Sequence, residues 1–178
     1  MTFVVDALQR LVDVPDFPQR GVVFKDVTPL LADHDAFTAV VQALADAGRD
    51  SDGVAVVDKV VAMEARGFIF GAPVALALGA GFVPVRKPGK LPRPTHAESY
   101  SLEYGQATLE IHQDAIRPGE RILLVDDVLA TGGTAAATAR LVERCGGVPH
   151  ALAVLLELTF LPGRATIGGL PLTALGQV

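Results

Sequence analysis

Apolar residues recur along this chain in two rhythms. Phe37, Val40, Val41 and Leu44 repeat at the spacing of one helix face, and Gly48 closes that segment. Lys59 to Met63 is a β-branched run that predicts a strand. Gly67 to Val85 carries no charge and approaches the length of a bilayer span. Gly71, Pro73, Gly79, Gly81 and Pro84 divide it, however, into a helix from about Pro73 to Leu78 and a strand from Phe82 to Val85. That division suits a buried core and predicts no membrane span.

Farther on, the chain turns basic and proline-rich from Arg86 to Tyr104, and Ser101–Leu102 and Thr108–His112 predict strands around Gly105 and Gln106. Ile122 to Val125 is a continuous apolar strand. Thr134 to Cys145 reads as a helix with Ala137, Leu141 and Cys145 on one face, stopped by Gly146 and Gly147, and Ala151 to Leu158 supplies another buried strand. Strands alternating with helices predict an α/β fold: a central, mainly parallel sheet flanked by helices, with ligands at the carboxyl ends of the strands. Without an internal repeat or linker, one domain over residues 1–178 is expected, with a projecting lid at about 86–106.

Composition narrows the function classes. Half of the 178 residues are apolar and 20% are charged, enough for a sizeable core. A net charge of −5 argues against a nucleic-acid-coating surface, which needs clustered excess Lys and Arg. The single cysteine, Cys145, allows no internal disulfide and no thiolate cluster, as suits a reducing cytoplasm. Asp6, Asp13 and Asp16 interrupt the first turns, unlike a secretory leader, so a cytoplasmic protein is expected. His34, His96, His112 and His150 have no metal-ligand spacing, and Met63 and Cys145 read as core filler.

The strongest chemical signal runs from Ile122 to Thr134. A hydrophobic strand ends in Asp126 and Asp127, and Ala130, Thr131, Gly132, Gly133 and Thr134 then form a small-residue loop opening a helix. Glycines let the backbone approach a ligand, and amides at a helix start point outward with its positive dipole end, which suits a phosphate monoester. Adjacent carboxylates just before that cradle can accept hydrogen bonds from vicinal hydroxyls, so the segment fits a phosphorylated sugar. The lysine-containing nucleotide loop, the dinucleotide glycine fingerprint and the serine nucleophile elbow are all absent.

On these residues the chain resembles the type I phosphoribosyltransferases, whose ribose-phosphate signature Val125 to Thr134 matches. Phe17-Pro18 with Gly21 to Asp26, Glu64 to Phe68, Arg86 to Pro92 and Tyr100 to Gly105 narrow the resemblance to the adenine branch. It spans about residues 15 to 160 and implies the fold, with an N-terminal base-binding hood over about 1–35. It implies an enzyme of purine salvage that moves the 5-phosphoribosyl group from 5-phosphoribosyl 1-pyrophosphate (PRPP) to adenine, giving AMP and pyrophosphate. Mg2+ would arrive with PRPP rather than on a dedicated protein ligand, and a homodimer is expected.

Carried over by position, the resemblance puts Asp126 and Asp127 on the ribose hydroxyls and Ala130 to Thr134 around the 5-phosphate. Glu64, Ala65, Arg66 and Gly67 would seat pyrophosphate, with a cis peptide at Glu64–Ala65 or beside it, and Arg86, Lys87 and Lys90, with Arg93, would add positive charge from the lid. Phe24 would stack on adenine, with Val128 or Leu129 on the other ring face and the backbone of Val23 and Lys25 reading its edge. Lys25 and Arg20 depart from the family pattern, which holds an arginine and a proline there. Glu103 would be the acid/base near the purine, with Tyr104 beside it on the lid, and Arg66 would assist the leaving pyrophosphate. The competing readings are a related enzyme acting on hypoxanthine, guanine, orotate or uracil, and a non-catalytic regulator; the acidic balance tells against the regulator.

Overall fold

The computed structural model describes residues 2–101 and 105–178, which form two compact units, one ending at Ala43 and one running from Leu44 to Val178. The smaller unit opens with helix α1 (Thr2–Leu8), followed by the antiparallel strands β1 (Val12–Pro15) and β2 (Val23–Asp26), in which Val14 faces Phe24. The connection contains a cis Phe17–Pro18 peptide, and the Phe17 ring meets Phe24 edge-on with centroids 5.1 Å apart. Helix α2 (Thr28–Ala32) carries Pro29 in its first turn, where the missing amide has no intrahelical partner to lose. Helix α3 (His34–Ala45) begins at Asp33, whose Oδ1 accepts the Ala36 amide at 2.9 Å, and Asp35 adds favourable charge to the first turn. The helix expected from Phe37 to Leu44 is this one.

The larger unit runs β3 (Lys59–Met63), α4 (Gly67–Leu78), β4 (Gly81–Val85), β5 (Thr95–Ser101), β6 (Gln106–His112), β7 (Arg121–Leu129), α5 (Gly133–Arg144), β8 (Val148–Glu157), α6 (Gly163–Thr166) and β9 (Leu172–Gln177). Five strands make one parallel sheet in the order β4-β3-β7-β8-β9, while β5 and β6 form a separate antiparallel hairpin. Val60 to Met63, Ile122 to Val125 and Ala151 to Leu156 are buried, as continuous apolar strands in the middle of a two-sided parallel sheet must be. Helix α5 lays Ala135, Ala137, Thr138, Leu141 and Val142 into the core.

Several boundaries differ from expectation. Helix α4 starts at Gly67, and Pro73 lies inside it rather than at its start. Gly71, which looks like a breaker, is a contact residue, since a Cβ there would strike Ala62 of β3, whereas Gly79 does stop the helix, with φ +64°. Strand β7 continues to Leu129, so Asp126 and Asp127 lie shortly before its end rather than closing it, held by parallel pairing to Val154 through Leu156 of β8. The hairpin is longer on its first arm than expected, beginning at Thr95; Leu102 lies outside the described residues. Among the described residues no helix is long and apolar enough to cross a membrane.

Candidate active site

Strands β4, β3 and β7 are neighbours and parallel, so their carboxyl ends deliver three segments to one end of the sheet: Arg86 onward, Glu64 to Gly67, and Asp126 to Thr134. This is where parallel α/β sheets place their ligands. Alternation along β7 leaves Asp126 and Val128 half-buried on one face and buries Asp127 and Leu129 on the other. The turn Ala130 to Gly132 then leads into α5. With Asp126, Val128, Leu129, Ala135, Leu152 and Val154, it and Thr134 line a cavity of about 70 Å³.

Gly132 has φ +82°, and a Cβ there would lie 2.7 Å from the Gly163 carbonyl and 2.8 Å from Thr166. The turn is therefore packed from behind by α6, and only glycine fits. Helix α6 is itself tied down: Arg164 donates two hydrogen bonds to the buried Glu157 carboxylate, at 2.9 and 2.7 Å, and Gln177 of β9 donates a third at 3.1 Å. The Arg164 hydrogen bond holds Glu157 below the usual carboxylate range, against the opposing effect of desolvation and with help from Gln177.

Asp126 Oδ1 accepts the Asp127 amide at 2.9 Å. Burial, followed by the Asp127 charge beside it, pushes the Asp126 carboxyl well above the usual range. Across from it, Arg66 Nε lies 2.6 Å from Asp127 Oδ2, yet that buried oxygen accepts no aligned hydrogen bond among the described residues. The Glu64–Ala65 peptide is cis, and Gly67 follows so closely on β7 that a Cβ would sit 2.8 Å from Asp126 Oδ1 and 3.0 Å from the Val125 carbonyl.

The Glu64 side chain turns toward the basic segment that follows β4. Its carboxylate accepts the Lys87 amide at 2.9 Å, pairs with Lys90 Nζ, and lies 3.4 Å from Arg86 Nε. Burial alone would raise its pKa; the Lys90 hydrogen bond, the Lys87 amide and the charges of Lys90 and Arg86 outweigh it and lower the value. Two carboxylates thus organise the basic segment from within, because Glu110 exchanges backbone hydrogen bonds with Arg86 and accepts the Gly89 amide at 3.1 Å. The Arg86 guanidinium stands 6.0 Å over the Phe68 ring, and its buried Nε makes no aligned hydrogen bond. Arg93 pairs instead with Asp114.

In the smaller unit, Val23, Phe24 and Lys25 all lie on β2, where Lys25 Nζ is paired with Asp13 at 2.6 Å. Glu103 and Tyr104 lie outside the described residues. Sequence reasoning did not single out Glu110, Glu157 or Arg164, and it gave Tyr100, whose hydroxyl lies 2.9 Å from Thr134 Oγ1, no role beyond opening a motif. Glu110 and Tyr100 act through partners more than twenty positions away, so no local pattern announces them; Glu157 and Arg164 pair across seven positions, where only the proline and glycine before Arg164 hint at a turn.

The phosphoribosyl transferase domain family matches residues 30–157. An adenine phosphoribosyltransferase of Nocardioides sp. is 69% identical over 170 residues, covering 96% of this chain and 92% of the relative. The crystal structure of the adenine phosphoribosyltransferase from Thermoanaerobacter pseudethanolicus superposes with a TM-score of 0.92 at 48% identity, covering 98% of this chain and 99% of that one. The Saccharomyces cerevisiae enzyme, complexed with an imino-altritol bisphosphate and adenine, gives 0.92 at 37% identity, covering 98% of both chains. With its parallel sheet, its paired strand-end acids and these relatives, the chain belongs to the phosphoribosyl transferase domain family and, within it, to the adenine phosphoribosyltransferases.

Proposed function

We propose that this protein transfers the 5-phosphoribosyl group of PRPP to adenine, releasing AMP and pyrophosphate, as a cytoplasmic homodimer of purine salvage. The observation that carries this reading is the meeting, on adjacent strand ends, of a buried Asp127 oxygen with an unused acceptor position, a small-residue turn opening a helix, and Arg66. A ribose hydroxyl gives that oxygen the aligned hydrogen bond it lacks, and the 5-phosphate occupies the turn 130–134. Exposed Leu76 and Ile69 on α4 and Phe82 on the edge strand β4 supply apolar surface for a second copy.

In this mechanism the base nitrogen displaces pyrophosphate while positive charge develops on the ribose ring. Asp126 and Asp127 orient the ring. Arg66, turned from Asp127, and Arg86, through its unused Nε, offset charge on the departing diphosphate, with Lys87 and Lys90 on the same segment. Glu103 exchanges the purine proton, Phe24 and Val128 pack on the adenine ring, and the backbone of Val23 and Lys25 reads its edge. Among the described residues no cluster of three or more His, Cys, Asp or Glu is placed to hold a metal. Two adjacent carboxylates are hard oxygen donors that fit Mg2+ arriving with the donor's phosphates, where it would neutralise diphosphate charge.

The test is pyrophosphate release from PRPP and Mg2+ with each of adenine, hypoxanthine, guanine, orotate and uracil. Adenine should be preferred over hypoxanthine by roughly four orders of magnitude in kcat/KM, because a backbone acceptor that meets the exocyclic amine is left unpaired against a carbonyl. Comparable turnover of the two would overturn the base assignment while leaving the reaction intact.

A further inference from the structure

Strand β5 is fastened along α5 at three points and then runs into the segment that carries Glu103. Arg144 Nη1 donates to the Ala97 carbonyl at 2.6 Å, Arg140 Nε donates to Glu98 Oε1 at 2.6 Å, and the Tyr100 hydroxyl lies 2.9 Å from Thr134 Oγ1. The first two ties reach exposed positions on the helix. The third ends on a residue that lines the cavity of the 130–134 turn. Tyr100 is half-buried against the main core, so packing holds its ring and the hydroxyl is left a single protein partner among the described residues.

A threonine hydroxyl has one hydrogen to give. If Thr134 donates to Tyr100, that hydrogen is spent. If Tyr100 donates to Thr134, the Thr134 hydrogen is directed elsewhere, and the turn is where an anion would meet it. A phosphate monoester accepts but does not donate, so its arrival favours the second arrangement, and each bond in a chain from Tyr100 through Thr134 to phosphate polarises the next. We propose that Tyr100 is a positioning residue that aims the Thr134 hydroxyl at the 5-phosphate and couples occupancy of the turn to the docking of β5. The inference rests on the reading of 130–134 as the phosphate site. Coupling is reciprocal: phosphate that tightens the Tyr100–Thr134 bond also secures the strand leading to Glu103.

Tyr100→Phe keeps the ring and removes the hydroxyl. Titration with ribose 5-phosphate should show about five- to tenfold weaker binding than wild type, the scale of one hydrogen bond, with the KM for PRPP raised to match and the melting temperature unchanged. In a Thr134→Val background the Tyr100→Phe change should add no further loss. Ribose 5-phosphate should slow amide exchange over residues 95–101 in wild type and not in Tyr100→Phe. Equal affinity of wild type and Tyr100→Phe, or losses that simply multiply in the double variant, would overturn the relay. A wild-type protein that does not bind ribose 5-phosphate would instead overturn the phosphate-site reading, and the relay with it.

Discussion

Asp127 is both the most buried acid of the site and the one whose Oδ2, beside Arg66, accepts no aligned hydrogen bond among the described residues, a combination that packing alone does not explain. Replacing it with alanine removes a ligand acceptor and one partner of Arg66, which is partly exposed. Asp127→Ala should therefore lower kcat/KM for PRPP by about ten- to a hundredfold for each charge-assisted hydrogen bond lost, with little change in melting temperature. Near wild-type activity would make the strand-end acids structural. Glu103→Gln separates chemistry from binding at the other end of the reaction. The amide keeps the shape but cannot exchange a proton, so the single-turnover rate should fall by roughly a hundred- to ten-thousandfold with donor affinity nearly unchanged. An unchanged single-turnover rate would remove Glu103 from the proton path.

At the scale of elements, the turn 130–132 depends on what stands behind it. Gly132→Ala adds a Cβ where φ is +82° and where the Gly163 carbonyl already lies 2.7 Å away. The turn or α6 must move, at a cost on the order of 1–3 kcal/mol, and loss of donor binding should exceed the loss of stability. Wild-type donor affinity in the Gly132→Ala variant would show that the turn tolerates the shift. Glu157→Gln tests the tie that holds α6. The folded-state pKa of Glu157 is depressed, so its ionised form contributes stability above its unfolded value, near 4.5, and that contribution is lost as pH falls through the lowered folded value. Wild type should therefore melt higher than Glu157→Gln at pH 7, and the gap should close below pH 4.5. A gap independent of pH would assign the effect to shape rather than charge.

Some of these elements were legible before any coordinates. Lys59 to Met63 is a strand at both of its expected ends because a short β-branched run between turn signals has few other uses. The helix of Gly67 to Leu78 was legible only in its second half, since glycines chosen for close approach to β3 and β7 look in sequence like breakers. Strand β9 and helix α6 carry weak patterns of their own and are fixed by pairing with β8 and by Glu157.

Across the whole molecule, the order β4-β3-β7-β8-β9 explains why motifs separated by about sixty positions serve one site: β3 and β7 are neighbours, so Arg66 reaches Asp127. Sequence revealed the two motifs but not that their charges pair with one another, nor that Glu64 pairs with Lys90 and accepts the Lys87 amide. In a chain of net charge −5 the cations Arg66, Arg86 and Lys90 already stand beside local acids, Asp127 and Glu64.

A crystal structure of the protein soaked with AMP tests that arrangement directly. The 5′-phosphate should lie on the amides of residues 131–134 within hydrogen-bond distance of Thr134 Oγ1, with the ribose hydroxyls on Asp126 and Asp127. A phosphate bound instead among Arg86, Lys87 and Lys90, with the strand-end acids unoccupied, would contradict the account.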